Sequence, residues 1–212
     1  MKLPFEKCVL KATPQGSITQ YFAENPALYA RFGLKGHSGI DLVAPHGTPM
    51  VAVEDGKIIC IDNNPAGTGK HVRFISTRSY NGLYAEWTYG HCDTITVKIG
   101  DRVKEGDVIA TMGNTGFVVS DSTGNGYWKF NPYAGTHLHL AMRLVEKSAY
   151  GWAYPGSTTK IRIPEYENGY RGAVNPLPYI NIDTTPLVAS LEAQVSLLQK
   201  VLELYKKLKA LK

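Results

Sequence analysis

The sequence predicts a mostly β protein, an antiparallel sheet or sandwich, followed by a C-terminal amphipathic helix. Three observations predict it. Between residues 37 and 118, short β-branched and aromatic runs recur at 39–43, 49–53, 57–62, 71–76, 84–91, 95–97, 108–112 and 117–119. The turn signals PHG, EDG, NNPAGTG, SYNG, IGD and KEGD separate them, and short strands at this spacing suit an antiparallel sandwich or barrel-like fold. The end of the chain then switches to a heptad pattern.

Taken in order, residues 1–36 read as an extended lead-in, with strand character in SITQYF (17–22) and turns or one helical turn in 24–36. The strand-rich block follows. Residues 120–135, SDSTGNGYWKFNPYAG, are polar, aromatic and Gly-rich and read as a long loop. A strand is expected over 137–145, and 148–172 reads as a second long aromatic loop. Loops of this length in a compact domain are usually functional or mobile. Thr185 can cap a helix with Pro186 in its first turn. In that helix Val188, Leu191, Val195, Leu198, Leu202 and Tyr205 form one heptad seam, and Leu197, Val201, Leu204, Leu208 and Leu211 a second beside it. Two adjacent seams make a face wide enough for a homo-oligomeric bundle or for docking in a larger assembly; packing back on the same chain is the alternative. The expected division is a domain over 1–182 and a helix over 183–212.

Hydrophobic residues make up 43% and charged residues 19%, ordinary for a folded domain. The net charge of +5 suits anionic partners such as bacterial wall polymer or nucleic acid. No dense basic run lies outside the C-terminus, and nucleic acid is not an expected partner. Three scattered cysteines, Cys8, Cys60 and Cys92, argue against a disulfide framework. The start, MKLPFEKCVL, lacks an apolar signal region, and no run approaches transmembrane length. The expectation is therefore no Sec-type address and no membrane span.

The chemistry concentrates in two short stretches, HSGID (37–41) and HLH (137–139). His37 and Asp41 are separated by a glycine that permits a tight turn. On a strand, His137 and His139 would share a face. A catalytic zinc takes three nitrogen or oxygen ligands and keeps one position open. Asp41 with two of these histidines supplies that set, leaving the other histidine beside the metal. Cys92, directly after His91, is a weak ligand candidate, because neighbouring strand residues face opposite sides. His46 and His71 read as ordinary turn and strand residues.

HSGIDLVAPHGTPMVAVEDGKI (37–58), YGHCD (89–93), VKIGDRVKEGDVIATMGNTG (97–116), THLHLAMR (136–143) and VNPLPYI (174–180) together resemble the lysostaphin-type, LytM-like zinc endopeptidases of peptidoglycan. The resemblance covers about 16–146 and again 174–180; the two long loops exceed those of simpler members, and the helix lies outside it. It implies a lysostaphin-like β fold and hydrolysis of peptide cross-links in bacterial peptidoglycan. It implies Zn²⁺ held by His37, Asp41 and His139, with His91 and His137 as the catalytic pair. One histidine would move the water proton and the other would steady the oxyanion, with the division between them open. Tyr89, Asn114, Tyr127, Trp128 and Tyr133 are candidate substrate-binding residues. With no export address of its own and an assembly-type helix, a phage or prophage enzyme is expected, either an endolysin or a virion tail-associated lysin. It would be made in the bacterial cytoplasm and act on the wall. A non-cutting virion structural module and a metal-free wall-binding module are the competing readings.

Overall fold

The computed structural model describes residues 18–118 and 132–180, together with 195, 196, 198–202, 205 and 206 of the C-terminal segment. Twelve strands are present among them: β1 (Ile18–Gln20), β2 (Ile40–Leu42), β3 (Pro49–Val51), β4 (Gly56–Asn64), β5 (Gly69–Tyr80), β6 (Leu83–Gly90), β7 (Cys92–Ile95), β8 (Arg102–Val103), β9 (Val108–Met112), β10 (Leu138–Trp152), β11 (Ile161–Arg162) and β12 (Ala173–Val174). Among the described residues before 181 the helical turns are short: Pro26–Tyr29, Ala30–Phe32 and Leu177–Tyr179.

The strands form two antiparallel sheets. The large one runs β1-β2-β10-β6-β5-β4-β8, with β11 and β12 also pairing with β10; the small one runs β3-β9-β7. The alternating pattern explains the layering. In β10, Leu138, Leu140 and Met142 are fully buried, and in β6 Ala85, Trp87 and Tyr89 are as well. They join Val72 and Phe74 of β5 and meet Met50, Ile109 and Met112 from the small sheet in one core. Burial of each large apolar side chain there contributes about 1.5–3 kcal/mol.

The opposite face of the large sheet carries the intervening residues: Asp41 on β2, His139, Ala141 and Arg143 on β10, Glu86 and Thr88 on β6, and Arg73 on β5. Beyond them a second apolar cluster of Ile59, Ile75, Val145, Ile161 and Ile163 covers the rest of that face.

Several expected elements are corrected. Residues 117–118 are not strand, and β7 begins at Cys92 rather than 95. The stretch 148–172 is not one long loop. β10 continues to Trp152 and the chain returns through β11, because Ile161 and Ile163 are needed to close the second cluster. The cap at Thr185 and Pro186, most of the loop at 120–135, and Cys8 lie outside the described residues. In the C-terminal segment the described residues are helical. Val195, Leu198, Val201, Leu202 and Tyr205 are each more than half exposed.

Candidate active site

β2 and β10 lie side by side, with Asp41 directly opposite His139. Side chains opposed in this way on one face have Cβ atoms about 4.5–5.5 Å apart. His37 enters from the segment before β2. Its backbone N–H donates to the Glu24 carbonyl, and its own carbonyl accepts from Ala23, each at 2.8 Å. The result is convergence of three buried polar side chains. His37 Nε2 lies 2.8 Å from His139 Nδ1 and 3.1 Å from Asp41 Oδ1, and His139 Nδ1 lies 3.2 Å from the same oxygen. Gly39 serves a different purpose from the tight turn expected. A Cβ there would sit 2.5 Å from the Leu140 carbonyl oxygen and 2.9 Å from His139 Cε1, so only glycine lets β10 and its histidine come this close.

The other ring nitrogen of His37 is fixed from behind. His37 Nδ1 donates to the Tyr21 carbonyl at 3.1 Å, which turns Nε2 toward Asp41 and His139. The Tyr29 ring stacks on His37 at 5.2 Å, and its hydroxyl donates to Gln20 Oε1.

His91 and His137 stand beside this group, their ring centroids 4.5 Å apart. His91 Nδ1 donates to the Thr115 carbonyl, and His137 Nδ1 to the Gly135 carbonyl, each at 2.7 Å. Both therefore present Nε2. That of His137 is 3.7 Å from Asp41 Oδ2. His91 adopts a left-handed backbone (φ 59°), uncommon outside glycine, and its N–H is held by the Thr68 carbonyl at 2.7 Å. Glycines allow the two flanking loops to touch: a Cβ on Gly69 would lie 2.3 Å from Thr115 backbone atoms, and one on Gly116 2.2 Å from the Gly69 nitrogen.

Burial alone would raise the Asp41 carboxyl, but hydrogen bonds from His139 and His37 and the nearby His137 hold it well below the usual carboxylate range. Burial pushes His139 down, with Asp41 opposing. Burial, reinforced by His137 and His139, pushes His91 down to about 3, so its ring is neutral at neutral pH. The cluster thus offers two imidazoles and one carboxylate.

This donor set fits a divalent cation. The facing atoms of His37, Asp41 and His139 all lie within 4.8 Å of one another. Their spacings of 2.8–3.2 Å approach the separation of tetrahedral zinc ligands, roughly 3.3 Å for bonds of about 2.0–2.1 Å. Imidazole nitrogen and carboxylate oxygen are also the donor types zinc accepts.

The model of Peptidase family M23 matches residues 35–150, more than half of the chain, and spans every one of these five side chains. The chain belongs to peptidase family M23. It is 36% identical over 81 residues to the glycyl-glycine endopeptidase ALE-1 of Staphylococcus capitis, a stretch covering 38% of this chain and 21% of that protein. It is 36% identical over 113 residues to the murein hydrolase activator NlpD of Salmonella dublin, covering 53% of this chain and 24% of that protein. Among solved structures, LytU is 31% identical with a TM-score of 0.49, covering 77% of this chain and 83% of that one. The chain therefore spans only about a fifth to a quarter of these two curated relatives' length.

Not every candidate residue of this M23 domain lies where expected. Tyr89 does not line the groove. It is fully buried, its hydroxyl donating to the Val51 carbonyl and accepting from the Val53 N–H. Strand alternation would put Tyr89 on the face of His91, but β6 stops at Gly90 and the left-handed turn re-aims His91. Asn114 is a strap rather than a substrate contact. Its amide nitrogen donates to the carbonyls of Pro132 and Ala134, at 2.8 and 3.0 Å, just ahead of His137. Tyr133 is 59% exposed and packs on His46, with ring centroids 4.5 Å apart. Tyr127 and Trp128 lie outside the described residues. Cys92 is buried in the core, its thiol donating to the Tyr89 carbonyl, away from the histidines. Missed at the level of sequence are Tyr29 and the carbonyls of Tyr21, Thr115 and Gly135; a carbonyl carries no residue signature, so no motif could have marked them.

Proposed function

We propose that this chain is a zinc-dependent endopeptidase that hydrolyses peptide cross-links of bacterial peptidoglycan. The observation that carries the reading is the convergence of His37, Asp41 and His139 next to a second histidine pair whose Nε2 atoms are left available. Two relatives, a glycyl-glycine endopeptidase and lysostaphin, support the substrate class. In this reading His37, Asp41 and His139 hold the ion, and His91 and His137 are the catalytic residues. Zinc would polarise the scissile carbonyl and acidify the attacking water. The chain's own groups do the rest. One of the two Nε2 atoms accepts the proton of that water and returns it to the leaving amine, and the other ring, carrying its own proton on Nε2, donates that N–H to the oxyanion. Their Nδ1–H groups stay on the Thr115 and Gly135 carbonyls and keep each ring in the useful tautomer. The Tyr21 carbonyl does the same for His37.

A second reading has an observation in its favour: NlpD is named as a hydrolase activator, so the fold also serves proteins so named. A non-cutting module has no need of a complete set of three ligands and two further histidines, and for this reason cutting is preferred. The test is purified peptidoglycan incubated with the protein. Release of soluble peptide ends, abolished by chelator and restored by zinc, is the expected result. A protein that binds one zinc and releases nothing would favour the non-cutting module.

The setting is part of the same proposal: a phage or prophage lysin that reaches the wall and assembles through the C-terminal helix. It rests on the apolar residues that helix exposes, Val195, Leu198, Val201, Leu202 and Tyr205. Deleting 185–212 should lower the sedimentation mass and leave the zinc content unchanged; an unchanged mass would discard the assembly role.

A further inference from the structure

The groove that contains Asp41, His91, His137 and His139 does not end with them. The same cavity, about 230 Å³, extends along β10 past Ala141 and Thr88 to Arg73, Arg143 and Arg171. We propose that this far end is a carboxylate-binding subsite, centred on Arg143, which selects peptides carrying a free anionic group several residues from the bond cut. This deepens the hydrolase reading and rests on it for the ligand being a wall peptide.

Charge is the first reason. Glu86, fully buried, is the anion of the cluster; one of its oxygens, Oε1, is served, and Oε2 accepts no hydrogen bond among the described residues. Arg73 Nη1 donates to its Oε1 at 3.2 Å, and the Tyr154 hydroxyl donates to the same oxygen. Arg143 Nη1 approaches Oε2 only to 3.7 Å, beyond hydrogen-bond range. Two guanidiniums thus face one carboxylate, and a third, that of Arg171, lines the same cavity. Hydrogen bonding is the second reason. Among the described residues Arg143 makes no hydrogen bond, although its side chain is only 19% exposed. A guanidinium has five donors in a planar fork that matches a carboxylate. Arg73 Nε is likewise buried without a partner. Arg171 spends Nη2 on the Phe32 carbonyl, which holds it against the cavity wall. A surplus of half-buried cationic donors is costly when unmatched, and an arriving carboxylate would satisfy it.

Geometry sets the reach. Arg143 and His139 share a face of β10 four residues apart, roughly 13 Å at about 3.3 Å per residue. An extended peptide covers that span in roughly three to four residues. The floor between them is Ala141 and Thr88, small enough for a chain to lie across. The ligand class is therefore a peptide bearing a side-chain or terminal carboxylate near that position, and not one that is neutral throughout.

The experiment compares two uncrosslinked wall stem peptides, identical except that one carries its branch-residue and terminal carboxylates free and the other has them amidated. Neither contains a cross-link, so binding to the zinc-loaded full chain is read by titration calorimetry apart from cutting. The free-carboxylate peptide should bind about tenfold or more tightly, the scale of a hydrogen bond to a charged group. Arg143→Gln should abolish the preference, and Arg143→Lys, which keeps the charge without the fork, should restore part of it. On cross-linked substrate, Arg143→Gln should raise KM and leave kcat within about twofold. Equal binding of the two peptides by the wild-type chain, or no binding of either, overturns the subsite, even if the protein cuts peptidoglycan. Preferential binding by a protein that does not cut keeps the subsite and removes the hydrolase reading.

Discussion

The two ends of one groove solve the problem of buried charge in opposite ways. At the histidine end three donor atoms crowd within 3.2 Å of one another, and the Nδ1 of His37, His91 and His137 is each fixed by a carbonyl. At the arginine end, on the same strand, two guanidiniums flank the single carboxylate of Glu86, whose Oε1 is already shared by Arg73 and Tyr154. The first arrangement fits a small cation that would sit among its own ligands. The second fits an anion that must come from outside. Neighbouring stretches of a single sheet face can therefore be prepared for opposite charges, provided uncharged residues such as Ala141 and Thr88 separate them.

Variants at the two ends should separate accordingly, the histidine end acting on metal and kcat and the arginine end on KM. The largest effect is expected from His139→Ala. Losing a ligand should cost more than the roughly 10–100-fold in metal affinity typical of outer-shell partners, and peptidoglycan release should vanish. Metal titration and a turbidity assay check it. His137→Ala should keep the metal and lose about 10²–10⁴-fold in kcat, the usual share of acid–base catalysis. Near wild-type turnover would show that the catalytic pair is assigned wrongly. Asn114→Ala should act more weakly. It removes two hydrogen bonds that hold the segment before His137, worth about 0.5–1.5 kcal/mol each. A lower Tm and a several-fold loss of kcat with unchanged zinc content are expected.

The smallest effect is on stability against pH. The His91 imidazole is held down to about 3, from an ordinary value of 6.5, mainly by burial. The folded state therefore binds fewer protons than the unfolded state between those values. The stability from keeping this ring neutral is present above pH 6.5 and is lost as pH falls from there toward 3. Thermal unfolding of the chelated protein at pH 7.5 and pH 5.0 should differ by on the order of 1–2 kcal/mol from this group. Substitution of His91 by Gln should flatten the difference; an unchanged pH dependence would place the titrating group elsewhere.

How much of this was visible beforehand follows from where the information sits. HSGID and HLH announce a metal set because coordination restricts the residue types, and the strand period brings His139 opposite Asp41. The β class was legible because β-branched runs between Gly-rich turns admit few alternatives. The role of Tyr89 was not, since alternation along β6 holds only until Gly90 and the left-handed His91 reverses the sense. The hairpin at 152–161 was hidden because its composition is that of a loop while its pairing is dictated by Ile161 and Ile163 under a distant cluster. Arg73, Glu86 and Arg143 lie on three strands and meet only through register, which no local pattern records.

Elemental analysis of the purified chain beside its Asp41→Ala variant probes the shared ligand sphere without reference to substrate. One zinc per wild-type chain and close to none in the variant is the expected pair of values. A wild-type chain that takes up no zinc, or a variant that retains a full equivalent, would contradict the convergence of His37, Asp41 and His139 on one ion.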